Sequence, residues 1–234
     1  PINGDQKIPV IVNVHGGPEG QDRPTFIALT QYFLHQGYAV VRPNVRGSSG
    51  YGEKYMALDD REKRMDSVKD LEYLHKYLSN RSEIDSTKIA LMGASYGGYM
   101  VLAGLAFQPN LWAAGIDIVG ISHLGNFLRN TSSYRRAMRE AEYGYLDTDN
   151  EFLERFSPLN SVDKIKAPLM VIHGANDPRV PLSEAQQIVD SLKARHVDVQ
   201  FLVYDDEGHG LAKLKNRLDA YPKVAAFLDE HLKG

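Results

Sequence analysis

Ile89-Ala90-Leu91-Met92-Gly93-Ala94-Ser95-Tyr96-Gly97-Gly98-Tyr99-Met100-Val101-Leu102 is the stretch that decides the fold. Its first four residues read as a buried strand, the glycine-flanked serine as a tight turn, and the apolar run through Phe107 as a buried helix. Gly93-Ala94-Ser95-Tyr96-Gly97 satisfies the Gly-x-Ser-x-Gly pattern, and it stands between strand and helix, where such a turn exposes a serine hydroxyl. The glycines have a physical cause. A strained turn presses its flanking backbone together, so side chains at Gly93 and Gly97 would clash. The turn also puts the Tyr96 amide at a helix N-terminus, where anionic groups are stabilised. The bare pattern is only moderately specific, and its meaning depends on its neighbours.

Upstream, Val10-Ile11-Val12-Asn13-Val14 reads as a strand stopped at Gly16-Gly17-Pro18. Thr25 to Gln36 reads as a helix closed by Gly37, and Tyr38 to Arg42 as a strand ending at Pro43. Val68, Leu71, Leu74 and Leu78 form a helical stripe over Asp66 to Leu78, with Asp66 or Ser67 as the expected cap. Downstream lie strand Ala114 to Val119, strand Leu169 to His173, helix Ser183 to Ala194, strand Val199 to Tyr204, and a terminal helix carrying Tyr221, Val224, Phe227, Leu228 and Leu232. Pro222 is expected in that helix's first turn or at a kink. Between Ile121 and Asp163 the periodicity weakens while arginines and tyrosines accumulate, which suggests a helical insertion near the site. Strands alternating with helices, several of them apolar throughout, define an α/β chain with a mostly parallel central sheet and helices on both faces. In such sheets ligands bind beyond the carboxyl ends of the strands.

Composition narrows the chemistry. The 234 residues carry 27 Lys plus Arg against 30 Asp plus Glu, for a formal net charge of -3, and no basic face gathers, so nucleic acid is not an expected partner. With no Cys, disulfides, thiolate metal sites and cysteine catalysis are all excluded, and the redox compartment stays undetermined. The most apolar stretch falls short of the ~20 residues a membrane helix needs, so the chain is expected to be soluble, with the cytoplasm favoured. It is expected as a single domain over 1–234. Beginning at Pro1, it looks trimmed from something longer.

A serine hydroxyl needs an adjacent base, and the base an orienting carboxylate. Of the eight histidines, His209 occupies Asp206-Glu207-Gly208-His209-Gly210, a loop between the last strand and the terminal helix. Asp177 stands in Asn176-Asp177-Pro178-Arg179-Val180-Pro181, just beyond the strand ending at His173. The resulting chain order, Ser95, Asp177, His209, is one of three known for such triads. An oxyanion site needs two backbone donors: Tyr96 supplies one, and His15-Gly16-Gly17-Pro18 is expected to supply the other, through Gly17 in preference to Gly16. Asp205, Asp206 and Glu207 match no zinc or calcium spacing and read as loop solvation, with Glu207 a candidate for tuning the imidazole. Gly47 to Gly52 lacks the Lys-Ser/Thr of a phosphate loop, so no nucleotide is implied.

Together with Pro43-Asn44-Val45-Arg46-Gly47-Ser48-Ser49-Gly50-Tyr51-Gly52 and Gly97-Gly98-Tyr99, these motifs resemble the catalytic domain of the prolyl oligopeptidase family of serine peptidases, which includes acylaminoacyl and dipeptidyl peptidases. The resemblance covers nearly the whole chain. It implies an α/β-hydrolase fold and acyl transfer from short peptides or small acyl esters through a covalent Ser95 intermediate, with no metal or organic cofactor and no membrane partner. Arg46 and Tyr99 join as candidate substrate-binding residues, with Arg46 or the insertion's arginines proposed for a peptide carboxylate. Association into homo-oligomers stays open. So do a stand-alone carboxylesterase and a non-catalytic binding module. Nothing in the sequence could form the β-propeller that usually precedes this domain, and the opening strands of the usual sheet are not evident before Val10.

Overall fold

The computed structural model describes residues 7–234. In chain order these build β1 (Ile8–Val14), α1 (Ala28–His35), β2 (Ala39–Val41), α2 (Glu53–Met56), α3 (Arg64–Ser79), β3 (Ile84–Ala94), α4 (Tyr96–Phe107) and β4 (Ala114–Ile118). Then follow α5 (Leu124–Asn130), α6 (Ser133–Tyr143), α7 (Asn150–Arg155), β5 (Leu169–Gly174), α8 (Leu182–Ala194), β6 (Val199–Tyr204) and α9 (Leu214–Leu232). Short 3-10 turns at Ala57–Asp59 and Arg61–Lys63 lead into α3, and another at Pro158–Lys164 precedes β5.

Among the described residues the strands form one sheet in the order β2-β1-β3-β4-β5-β6, with every neighbouring pair parallel. Side chains alternate between its faces. Val10, Val12, Ile89, Leu91, Leu169 and Val171 pack with residues of α3, α4 and α8 such as Leu71, Val101 and Ile188. Ile11, Ala90, Met92, Ile116, Met170 and Ile172 pack with Phe33 of α1 and Val224, Phe227 and Leu228 of α9. Because helices cover both faces, these strands carry apolar residues at consecutive positions instead of alternating with polar ones.

The sheet order also locates the site. From β1 the chain moves to β2 on one side and then to β3 on the other, so the direction of winding reverses between β1 and β3. A crevice opens at such a switch point beyond the carboxyl ends of the strands. His15-Gly16-Gly17 leaves β1 there, and Ser95 leaves β3.

Several boundaries differ from the sequence reading. Strand β3 begins at Ile84, five residues before the apolar run, because Ile84 pairs with Ile8 across the polar Asp85-Ser86-Thr87 segment. Helix α3 starts at Arg64 with Lys63 as its N-cap, not at Asp66 or Ser67. Ser67 is buried and its hydroxyl donates to the Arg64 carbonyl at 2.9 Å. Pro222 lies inside α9, past its first turn, since that helix begins at Leu214. The segment expected as a helical insertion at 121–163 contains α5, α6, α7 and much of the last 3-10 turn; none is long enough to show an extended periodicity.

Candidate active site

Ser95 stands between β3 and α4 at φ 60°, ψ -118°, a left-handed backbone that a non-glycine residue seldom adopts. Its amide donates to the Ile118 carbonyl at 2.9 Å, and its carbonyl accepts from the Tyr99 amide at 3.1 Å, so strand and helix hold the turn from both sides. A Cβ placed at Gly93 would lie 2.9 Å from the Gly97 Cα and closer still to its carbonyl. One at Gly97 would press on the Val14 carbonyl and lie 3.1 Å from the His15 oxygen. Both glycines are therefore dictated by backbone contact. The His15-Gly16-Gly17 loop lies directly against the serine: a Cβ at Gly16 would be 3.0 Å from the Ala94 oxygen and 3.4 Å from the Ser95 Cβ.

Tyr96 opens α4, which puts its amide among the unpaired donors of that helix's first turn. Gly17, at φ 134°, adopts a conformation that favours glycine. The loop it belongs to is braced by His15, whose Nε2 lies 2.8 Å from Ser48 Oγ and whose Nδ1 lies 2.8 Å from the Gly16 oxygen.

The Asp177 carboxylate is buried, and its Oδ1 accepts the Arg179 and Val180 amides at 2.8 and 3.0 Å. Its Oδ2 accepts from His209 Nδ1 at 2.7 Å. Burial alone would raise this carboxyl, but the hydrogen bonds from His209, Val180 and Arg179 outweigh it and hold Asp177 below the usual carboxylate range. The two residues meet because the loops after β5 and β6 are packed together. Ala175 and Asn176 amides donate to the Tyr204 and Glu207 carbonyls at 3.0 Å each, and a Cβ at Gly174 would lie 2.6 Å from the Glu207 oxygen. With Nδ1 engaged on Asp177, Nε2 is the imidazole nitrogen left to serve a hydroxyl.

Three residues singled out in the sequence are engaged within the protein. Arg46 is committed to Asp70, with Nε and Nη2 at 3.0 and 2.8 Å from Oδ1 and its backbone amide at 2.8 Å from Oδ2. Its Nη1 stands 3.8 Å from Asp66 Oδ2, so the guanidinium charge is shared with two carboxylates. Tyr99 is fully buried, stacked on Tyr96, with its hydroxyl donating to the Phe156 carbonyl at 3.1 Å; it packs the core with no surface open to solvent. Glu207 is neither solvating nor, among the described residues, hydrogen-bonded to His209. It is buried and accepts the Ala212 and Lys213 amides at 3.1 and 2.8 Å, which caps the approach to α9, and Asn216 Nδ2 at 2.8 Å.

The structure adds a buried support that the sequence did not disclose. Arg64 is enclosed between the rings of Tyr96 and Tyr143, at 5.1 and 4.6 Å from their centroids, and is ion-paired with Asp59. Its Nη2 donates to the Glu142 carbonyl at 3.0 Å, and Tyr96 Oη lies 2.8 Å from Ser67 Oγ and 3.2 Å from Asp59 Oδ2. Through this cluster the residue after the serine is tied to α3 and to α6 of the insertion. A cleft of about 400 Å³ runs between Gly17 and the α6 residues Arg135, Met138 and Arg139, and a smaller recess joins Arg135 and Arg139 to Pro178 and Arg179. The insertion therefore borders the site beside both the glycine loop and the Asp177 loop. A larger cavity of about 920 Å³ opens at the other end of the sheet, beside Ile8 and Ala39, away from these residues. Among the described residues no three His, Cys, Asp or Glu side chains gather as a metal site, and no helix is long and apolar enough to cross a membrane.

A parallel sheet with helices on both faces and a serine turn at its switch point defines an α/β-hydrolase. The prolyl oligopeptidase family model matches residues 24–234, and the chain belongs to that family. It is 35% identical to dipeptidyl peptidase family member 6 of Caenorhabditis elegans, over 96% of this chain and 31% of that protein. It is 34% identical to dipeptidyl aminopeptidase BIII of Pseudoxanthomonas mexicana, over 98% of this chain and 34% of that one. An acylaminoacyl peptidase solved in complex with Z-Gly-Gly-Phe-chloromethyl ketone superposes with a TM-score of 0.91 at 30% identity, covering 100% of this chain and 38% of the other. A puromycin-hydrolyzing peptidase of Mycobacterium tuberculosis superposes with a TM-score of 0.93 at 27% identity, covering 97% and 34%. The chain thus spans about a third of the length of the curated relatives it matches.

Proposed function

We propose that this chain is the catalytic domain of a serine peptidase in which Ser95, His209 and Asp177 act together. The observation that carries the reading is the hydrogen-bonded Asp177–His209 pair in the loops after β5 and β6, in a sheet whose switch point holds a left-handed Ser95. His209 Nε2 takes the Ser95 proton as Oγ bonds to the acyl carbon. Asp177, kept ionised by its three hydrogen bonds, fixes the tautomer and stabilises the imidazolium. The tetrahedral oxyanion is held by the Tyr96 and Gly17 amides. As the C–N bond breaks, the proton on His209 passes to the leaving amine. Water, deprotonated by the same imidazole, then releases the acyl group from Ser95. No step calls on a metal or organic cofactor.

The two relatives named as dipeptidyl peptidases favour peptides over simple esters as the natural substrates. The cleft beside Gly17 has room for a few residues of a short peptide. The reading assigns the chain no nucleic-acid or membrane partner and a cytoplasmic site of action, and it requires no second copy for chemistry. Purified protein assayed on dipeptidyl, acetyl-aminoacyl and short-chain ester substrates tests it. Cleavage of a peptidyl substrate that disappears in Ser95→Ala is expected, whereas hydrolysis of esters alone would reassign the chain as a carboxylesterase.

A further inference from the structure

We propose that His173 is a positioning residue for Asp177, holding the turn that directs the carboxylate at His209; this rests on the triad reading above. His173 is the penultimate residue of β5 and is fully buried. Its Nε2 lies 2.9 Å from the Val180 carbonyl oxygen, and since a carbonyl only accepts, the ring carries its proton on Nε2. Val180 is thereby caught at both ends. Its carbonyl takes the His173 proton while its amide donates to Asp177 Oδ1 at 3.0 Å. The imidazole and the carboxylate are clamped through one residue, and the turn from Asp177 to Val180 cannot rotate without breaking one bond or the other. The same Nε2 stands 3.7 Å from Asp177 Oδ2, so that oxygen faces a donor bond from His209 at 2.7 Å on one side and the His173 N–H dipole on the other.

A side chain present for packing alone would not need this chemistry. His173 Nδ1 is buried with no hydrogen-bond partner among the described residues, a desolvation cost that an aliphatic side chain would avoid. Burial holds the imidazole below its ordinary range, and the titratable groups whose charges act on it are Asp177 and His209. A neutral ring donates to Val180 without drawing the Asp177 charge away from His209, which a cation there would do.

The experiment compares His173→Gln, His173→Asn and His173→Phe with the unmodified protein, recording kcat, KM, thermal midpoint and the downfield NMR resonance of the His209 Nδ1 proton. Gln carries its amide nitrogen near the place of Nε2 and can still donate to Val180; Asn reaches only the place of Nδ1. His173→Gln is expected to keep most of kcat and the resonance. His173→Asn and His173→Phe should lose roughly 10²-fold in kcat, the cost of a displacement near 1 Å at a catalytic group, with KM little changed and the resonance broadened or lost. If His173→Phe fails to fold, the Gln and Asn pair decides. Equal kcat in those two variants, or full activity and an intact resonance in a folded His173→Phe, would overturn the proposal. Ser95→Ala and His209→Ala run alongside: full activity in either would overturn the triad reading and this proposal with it, whereas inactivity in both beside unaffected His173 variants would overturn this proposal alone.

Discussion

Gly97→Ala isolates what the serine turn demands. A methyl at this position would press into the Val14 carbonyl, 3.0 Å from its carbon, and lie 3.1 Å from the His15 oxygen. Every one of these neighbours is backbone, so no side chain can rotate away. Either α4 or the end of β1 has to recede, by more than about 1 Å to restore ordinary contact with the Val14 oxygen, a degree of overpacking that typically costs about 1–3 kcal/mol. In a chain of this size that lowers the thermal midpoint by roughly 2–12 °C. Val14 and His15 lead directly into Gly16 and Gly17, so the same displacement carries the proposed oxyanion donor away from Ser95, and kcat should fall roughly 10²-fold. Gly208→Ala is the control. It neighbours His209, yet a Cβ there meets nothing nearer than the Asn176 oxygen at 3.7 Å and Pro178 Cδ at 3.9 Å, so midpoint and kcat should stay near those of the parent. Scanning calorimetry and initial-rate ester hydrolysis read both quantities. A Gly97→Ala protein with parental stability and kcat would refute the reasoning.

Asp177→Asn should keep the fold and KM while lowering kcat about 10⁴-fold, because the amide stabilises the wrong tautomer of His209; steady-state kinetics would expose a smaller loss. Glu207→Ala removes the acceptor of the Ala212 and Lys213 amides and should cost about 1–2 kcal/mol in denaturant unfolding, with kcat of the folded protein nearly unchanged; a large kcat effect would reinstate a link to His209. Burial pushes the Asp117 carboxyl up to about 7. The folded protein therefore keeps that proton through a range where the unfolded chain releases it near 4, and stability should fall as pH rises from about 4 to 7. Asp117→Asn should flatten that part of the profile and be the more stable protein at pH 8; identical pH dependence in the two proteins would contradict this.

How far the site could be read from sequence follows from where its residues lie. Ser95, Asp177 and His209 each occupy a loop shortly after an apolar strand, so the order of strand, turn and polar residue marks all three as candidates, and the β6 bounds Val199 and Tyr204 are legible as well. Pairings across the chain were not legible. Arg46 finds Asp70 twenty-four residues away and Arg64 finds the Glu142 carbonyl seventy-eight away, separations that no periodicity encodes. Tyr99 reads from the sequence as a candidate substrate-binding residue. However, α4 is buried on all sides from Tyr96 to Ala106, and a helix without a polar face leaves no pattern by which to tell inward from outward positions. Glu207 was misjudged for a related reason: an acidic loop residue looks the same in sequence whether it is solvated or collects the free amides ahead of a helix.

The most direct test of the central claim is covalent labelling by a fluorophosphonate, which reacts with an activated serine, followed by mass spectrometry of the digested protein. The adduct is expected on Ser95, at a rate that falls sharply in His209→Ala, and absent from Ser95→Ala. Labelling at another serine, or none on protein shown by calorimetry to be folded, would contradict the account.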